Sequence, residues 1–142
     1  MTPIHILLVE DNAGDILLTT EALSEGKIAN TISVVKDGWE AIQYLEKKEK
    51  YVGVQSPDLI ILDINLPKIN GHEVVKYIKT NPELKGIPVI MLTTSTSQDD
   101  SLKSLENMAD CFITKPVDAK DFLEVIASIE NFWISIIRKP KN

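Results

Sequence analysis

The chain has 142 residues, 44% hydrophobic and 25% charged, which are the proportions of one ordinary globular domain that holds together without staples. Its formal net charge of -6 excludes sequence-independent nucleic-acid binding, which depends on neutralising phosphates. A single cysteine excludes an internal disulfide, and apolar runs of four to six residues fall far short of the ~20 that cross a bilayer, so no membrane segment or leader is expected and the setting is cytoplasmic.

The first candidate strand, Ile4-His5-Ile6-Leu7-Leu8-Val9, ends on Glu10 and Asp11. Asn12 is a good cap residue and starts a helix predicted to run to about Glu25, where Gly26 stops it. Ile32-Ser33-Val34-Val35 reads as a second strand that delivers no site residue, and Lys36-Asp37-Gly38 turns into a helix with Ala41, Ile42 and Leu45 on one face. From Glu46 to Ser56 the chain is polar and charged, as at a helix end followed by a loop longer than usual. Leu59-Ile60-Ile61-Leu62 forms the third strand and delivers Asp63. Gly71 precedes a third helix carrying Val74, Val75 and Ile78, which ends before Asn81-Pro82. The fourth strand, Ile87 to Leu92, delivers Thr93. Leu102, Leu105 and Met108 are spaced by three and mark a loosely held fourth helix over Thr96 to Met108. Cys111-Phe112-Ile113-Thr114 is the fifth strand and delivers Lys115, with Pro116 behind it. From Asp118 a fifth helix carries Phe122, Val125, Ile126, Ile129, Phe132, Trp133, Ile136 and Ile137, an apolar stripe wider than packing on one sheet face requires.

Strands alternating with helices imply an α/β fold with a parallel sheet covered on both faces. Without linkers, repeats or low-complexity tracts, residues 1–142 read as one domain with no output domain attached. In such sheets ligand sites form in the crevice beyond the carboxyl ends of the strands, which brings Glu10, Asp11, Asp63, Thr93 and Lys115 to one place. Three acidic groups repel one another unless a cation sits among them, and an all-oxygen donor set that uses few carboxylates suits Mg2+. Asp63 is the natural nucleophile for an acyl-phosphate. Lys115 can pair with a phosphoryl oxygen as a point charge, and Thr93 can donate a hydroxyl hydrogen bond to another. Each residue taken alone has a plainer reading: helix-start acids, a turn aspartate, a surface lysine, a loop threonine. Their joint occurrence at four of the five strand ends is what points to phosphoryl transfer. His5 and His72 lack partners at ligand spacing and read as edge or surface residues, and Cys111 as an inert strand thiol.

At these residues the chain resembles the receiver domain of two-component response regulators. The resemblance is carried by Leu8-Val9-Glu10-Asp11-Asn12, by Leu59-Ile60-Ile61-Leu62-Asp63-Ile64-Asn65-Leu66-Pro67, by Gly71, by Pro88-Val89-Ile90-Met91-Leu92-Thr93 and by Thr114-Lys115-Pro116, and it covers about residues 4 to 137. It implies a flavodoxin-like, doubly wound, five-stranded parallel sheet of order 2-1-3-4-5 with an extended C-terminal helix. It further implies that Asp63 accepts a phosphoryl group from a phosphohistidine of a sensor histidine kinase. Glu10, Asp11 and Asp63 would hold Mg2+ with the Asn65 backbone carbonyl, and Lys115-Pro116 would be a cis peptide bond. Thr93 and Phe112 match the switch positions of the family. Phenylalanine replaces the commoner tyrosine and would act by packing alone or as a plain core residue, while Thr94 is larger than the usual small residue and restricts the swing. Asp11-Asn12-Ala13-Gly14-Asp15, the loop from Lys47 to Pro57 and Asn131-Phe132-Trp133 are similar to the single-domain response regulators of bacterial phytochromes, so a phytochrome-type kinase is the implied partner.

The wide stripe predicts a homodimer through the fourth and fifth helices and strand five. Trp133 either anchors that contact or packs on its own sheet. Two rivals remain: a phosphorylation-independent binding module, and a haloacid dehalogenase-type phosphohydrolase. The second wants an acid two residues after the nucleophile, where this chain has Asn65.

Overall fold

Runs of Ile, Leu and Val between polar turns form strands because branched side chains pack well on a pleated surface. A computed structural model of the chain describes residues 3–64, 66, 68–93, 110–114 and 119–137. It holds β1 (Ile4–Val9), β2 (Asn30–Val35), β3 (Leu59–Asp63), β4 (Val89–Thr93) and β5 (Cys111–Thr114). All neighbouring pairs are parallel, in the order β2-β1-β3-β4-β5. This is the expected doubly wound arrangement. β3 is buried along its whole length, which explains why it reads as a continuous apolar run rather than an alternating one. Alternation still decides which face each residue serves. Leu7, Val9, Ile60, Leu62 and Met91 join one core with Ala41, Leu45, Val74, Val75 and Ile78. Ile6, Leu8, Ile61, Ile90 and Leu92 join the other with Leu23, Ile126 and Ile129.

The helices start where short polar side chains can satisfy their first amides. α1 (Ala13–Ser24) is capped by Asn12, whose Oδ1 accepts from the Asp15 N–H at 2.9 Å. α2 (Gly38–Glu46) is capped by Asp37, whose Oδ1 accepts from the Glu40 N–H at 2.8 Å. α3 (Gly71–Thr80) is capped by Asn70 at 3.1 Å from the Glu73 N–H. β2 opens two residues earlier than its apolar run suggests, because Asn30 pairs with Ile4. β4 opens later, at Val89, after a proline that has no N–H for the ladder. The long loop after α2 is partly ordered: Lys47 ends the helix in the left-handed region at φ 57°, a turn of 3-10 helix covers Glu49–Tyr51, and Tyr51 packs 5.0 Å from the Tyr44 ring. The expected fourth helix, residues 96–108, lies outside the described residues.

The C-terminal helix, Ala119–Ile137, spans 19 residues, about 28 Å at the usual rise. Its Ile126 and Ile129 are buried, and Phe132 and Trp133 pack half-buried against the same core. Trp133 therefore rests on its own molecule. Its described exposed positions are Glu124, Ala127, Ser128, Asn131 and Ser135, short or polar side chains rather than an apolar strip. One buried charge secures the helix: the Glu130 carboxylate accepts from the Lys27 N–H at 2.6 Å and the Ile28 N–H at 3.0 Å. A Cβ at Gly26 would stand 2.5 Å from that carboxylate and would have to displace it. No described helix is long and apolar enough to cross a membrane.

His5 and Tyr77 are set away from the strand ends that carry the acids. His5 is half-buried, with Nε2 2.9 Å from Ser33 Oγ and 3.1 Å from the Tyr44 hydroxyl, rather than lying free on an edge. On α3, burial and then the neighbouring Glu46 carboxylate push the Tyr77 phenol up to about 12.

Candidate functional site

β1 and β3 are adjacent, with Val9 opposite Leu62, so Glu10 and Asp63 leave the sheet side by side. A carboxylate oxygen from each of Glu10, Asp11 and Asp63 lies within 4.8 Å of the other two. Glu10 is 1% exposed and Asp63 4%, while Asp11 is open to solvent. Glu10 is fixed at both ends: its N–H donates to the Val35 carbonyl at 3.0 Å, and its Oε2 accepts from the N–H groups of Asp11 and Asn12 at 3.1 and 3.2 Å. Those amides open the turn into α1, where the helix end favours negative charge.

Two buried carboxylates and a third at the rim are costly to hold together as anions. The donor set is oxygen alone, with no imidazole or thiolate among the three. Such a set fits a hard divalent cation that keeps part of its water shell, and does not suit zinc. Asp11, the exposed member, stands at the rim of this cluster.

The chain beyond Asp63 is tightly shaped. Asp63 stands opposite Leu92, and the Ile64 N–H donates to the Leu92 carbonyl at 3.0 Å. The following loop closes where the Gly71 N–H returns to the Ile64 carbonyl at 3.0 Å. A Cβ at Gly71 would lie 2.7 Å from Ile64 Cα and 2.8 Å from the Asp63 carbonyl oxygen, so the start of α3 can approach only as glycine. On the far side of the loop Lys68 takes the left-handed conformation at φ 65°. Its ammonium lies 3.5 Å from Asp37 Oδ2 and 5.7 Å from the centre of the Trp39 ring. Gly38 presses against the Ile69 carbonyl closely enough that a Cβ there would overlap it.

Of the residues expected in the site, the structure brings Glu10, Asp11 and Asp63 together. The backbone of Thr93 ends β4, pairs with Thr114 and stands at the same edge of the sheet; Phe112 pairs with Met91 one strand away. The side chains of Thr93 and Phe112, and all of Asn65, Thr94, Lys115 and Pro116, lie outside the described residues. Sequence reasoning missed the Asp37, Trp39 and Lys68 contact. Its only visible signal was the Pro67-Lys68-Ile69-Asn70-Gly71 run, a turn-forming stretch that does not disclose its partner.

The response regulator receiver domain family matches residues 6–127. Response regulator Rcp1 of Synechocystis sp. is 41% identical over 138 residues, covering 97% of this chain and 94% of that protein. Among solved structures, the phosphorylated cyanobacterial phytochrome response regulator RcpA superposes with a TM-score of 0.88 at 41% identity, over 99% of this chain and 100% of that one. The Mn(2+)-bound form of Rcp1 superposes at 0.86 with 40% identity, over 98% and 100%.

Proposed function

The chain belongs to the response regulator receiver family, and on that premise we propose that Asp63 is its phosphoacceptor, charged by a sensor histidine kinase of phytochrome type. The observation that carries this reading is the cluster of Glu10, Asp11 and Asp63, with Asp63 almost wholly enclosed. One Asp63 oxygen attacks the phosphorus of the donor phosphohistidine. The new O–P bond forms as the N–P bond breaks, and the departing imidazole nitrogen takes up a proton from solvent. Mg2+ held by Glu10, Asp11, Asp63 and the Asn65 backbone carbonyl would supply the charge that offsets the phosphoryl oxygens, in a transfer that is mostly positioning and electrostatics. Lys115 pairs with one of those oxygens, and Thr93 donates a hydrogen bond to another. The same geometry admits slow attack by water on the aspartyl phosphate, which resets the protein. Self-catalysed phosphotransfer and this hydrolysis are the chemistry we propose; turnover of the phosphohydrolase kind is disfavoured because Asn65 stands where its second acid would be.

Thr93 and Phe112 carry the change toward β5 and the C-terminal helix, and output is a contact with another protein in the cytoplasm. A homodimer through the fourth and fifth helices and β5 is the assembly we favour, with the small side chains at Ala127, Ser128 and Asn131 allowing close approach. Incubation with acetyl phosphate and Mg2+, followed by intact mass measurement, tests the central claim. The protein should gain the mass of one phosphoryl group, and Asp63→Asn should gain none. Equal labelling of the two proteins refutes Asp63 as the acceptor.

A further inference from the structure

We infer that Asp37, Trp39 and Lys68 form a clamp between α2 and the loop after Asp63, and that Lys68 is thereby a positioning residue for cation binding by Glu10, Asp11 and Asp63. The inference rests on the reading of that cluster as a metal site. The loop is short and fastened at three places. Its start is tied into the sheet by the Ile64 N–H on the Leu92 carbonyl, and its end by the Gly71 N–H on the Ile64 carbonyl. Among the described residues its outer corner has no sheet or helix ladder to hold it. It is held by Ile69 packing on the core and by α2: Gly38 abuts the Ile69 carbonyl, and the Lys68 ammonium reaches Asp37 at 3.5 Å and the Trp39 face at 5.7 Å.

Two features argue against an incidental surface pair. Lys68 adopts φ 65°, a conformation that costs free energy in an L residue other than glycine, asparagine or aspartate. A lysine persists there only if something offsets the strain, and among the described residues the ion pair and ring contact are placed to do so. Asp37 is also held from the other side. Its Oδ1 caps α2 while its Oδ2 faces Lys68, and its side chain is only 13% exposed. The Asp37 half of the pair is therefore fixed although the Lys68 side chain is 64% exposed, where most exposed ion pairs join two mobile side chains. Because the loop leads directly out of Asp63, any drift of its outer corner passes to the acceptor carboxylate and to the proposed Asn65 ligand.

Simple electrostatics and positioning predict opposite signs, which makes the inference testable. Removing an ammonium near a cation site should by charge alone tighten cation binding. Loss of the clamp should weaken it, by roughly three- to fivefold if the ion pair and ring contact together are expressed in loop placement. Lys68→Asn is the informative variant, since asparagine tolerates the left-handed region while lacking the charge. Mn2+ binding to the full chain is followed by the electron paramagnetic resonance signal of the free ion, with thermal unfolding of the metal-free protein alongside. The expected result is weaker Mn2+ binding in Lys68→Asn at unchanged or higher Tm, near wild-type binding in Lys68→Arg, and no further weakening when Asp37→Asn is added to Lys68→Asn. Equal or tighter binding by Lys68→Asn overturns the inference while leaving the metal site intact. Absence of Mn2+ binding by the wild-type chain overturns the metal site itself, and the inference with it.

Discussion

Removing the Glu130 carboxylate should loosen the C-terminal helix from the rest of the fold. That side chain is 9% exposed and accepts two backbone N–H groups, from Lys27 and Ile28, at 2.6 and 3.0 Å. Hydrogen bonds to a charged group contribute about 1.5–3 kcal/mol each in favourable sites. Lys27 is itself exposed, so water can replace part of what its amide loses in the variant, and the lower end of the range applies. For Glu130→Ala we therefore expect a loss of about 2–3 kcal/mol, or roughly 8 °C in Tm for a chain of this size. Glu130→Gln keeps an acceptor oxygen without the charge and should lose about half as much. Urea unfolding followed by tryptophan fluorescence measures both variants, and Trp133 on the same helix makes the signal sensitive to its release. A Glu130→Ala midpoint within about 0.5 kcal/mol of wild type, the scatter of ordinary surface substitutions, would refute the assignment of this carboxylate as the helix anchor.

Asp11→Asn removes the rim member of the acid cluster. It should stabilise the metal-free protein by about 1 kcal/mol through relief of repulsion at a solvent-exposed position, and shrink the rise in Tm that Mg2+ produces; a wild-type response to Mg2+ would exclude Asp11 as a ligand. Tyr77, titrating at about 12 when folded against about 10 when unfolded, favours the fold fully below pH 10 and loses that contribution as pH climbs toward 12. The stability advantage of wild type over Tyr77→Phe in urea should therefore narrow across that interval, and a constant difference would show that the phenol is not shifted. Ala127→Arg sits on the exposed face of the C-terminal helix and should convert the proposed dimer to monomer in gel filtration; an unchanged elution volume counts against that surface.

The elements were legible where one local signal sufficed. Asn12, Asp37 and the turn before Gly71 announce helix starts because a cap acts within three residues, and the five apolar runs announce strands because both faces of the sheet are covered. Glu10, Asp11 and Asp63 were legible for a topological reason, since a parallel sheet delivers every strand end to the same edge. Contacts between distant segments left no such trace. Nothing in the sequence around Glu130 tells that its carboxylate meets the amides of Lys27 and Ile28, nor that, of the apolar stripe on its helix, Ile126, Ile129, Phe132 and Trp133 pack inward.

That difference bears on how a signal could leave the site. If the stripe were an open apolar face, output would follow from burying it against a partner whatever the state of Asp63. With its described part already packed, the C-terminal helix would offer the proposed partner copy small side chains whose placement depends on where the helix sits. Among the described residues, its position is set by two kinds of contact: apolar packing on the sheet face that carries Ile90 and Leu92, and one charged tie at Glu130. Apolar packing tolerates small sliding, whereas two short hydrogen bonds to backbone amides do not. A displacement arriving through β4 and β5 would therefore act on the helix as rotation about its Glu130 anchor rather than as bodily translation. If the proposed homodimer is the output and phosphorylation of Asp63 its trigger, Glu130→Gln, which softens that anchor, should weaken the difference in dimerisation between phosphorylated and unphosphorylated protein more than it weakens dimerisation itself. Sedimentation equilibrium of both forms reads the two quantities separately, and an equal loss in each would show that Glu130 holds the helix without guiding it.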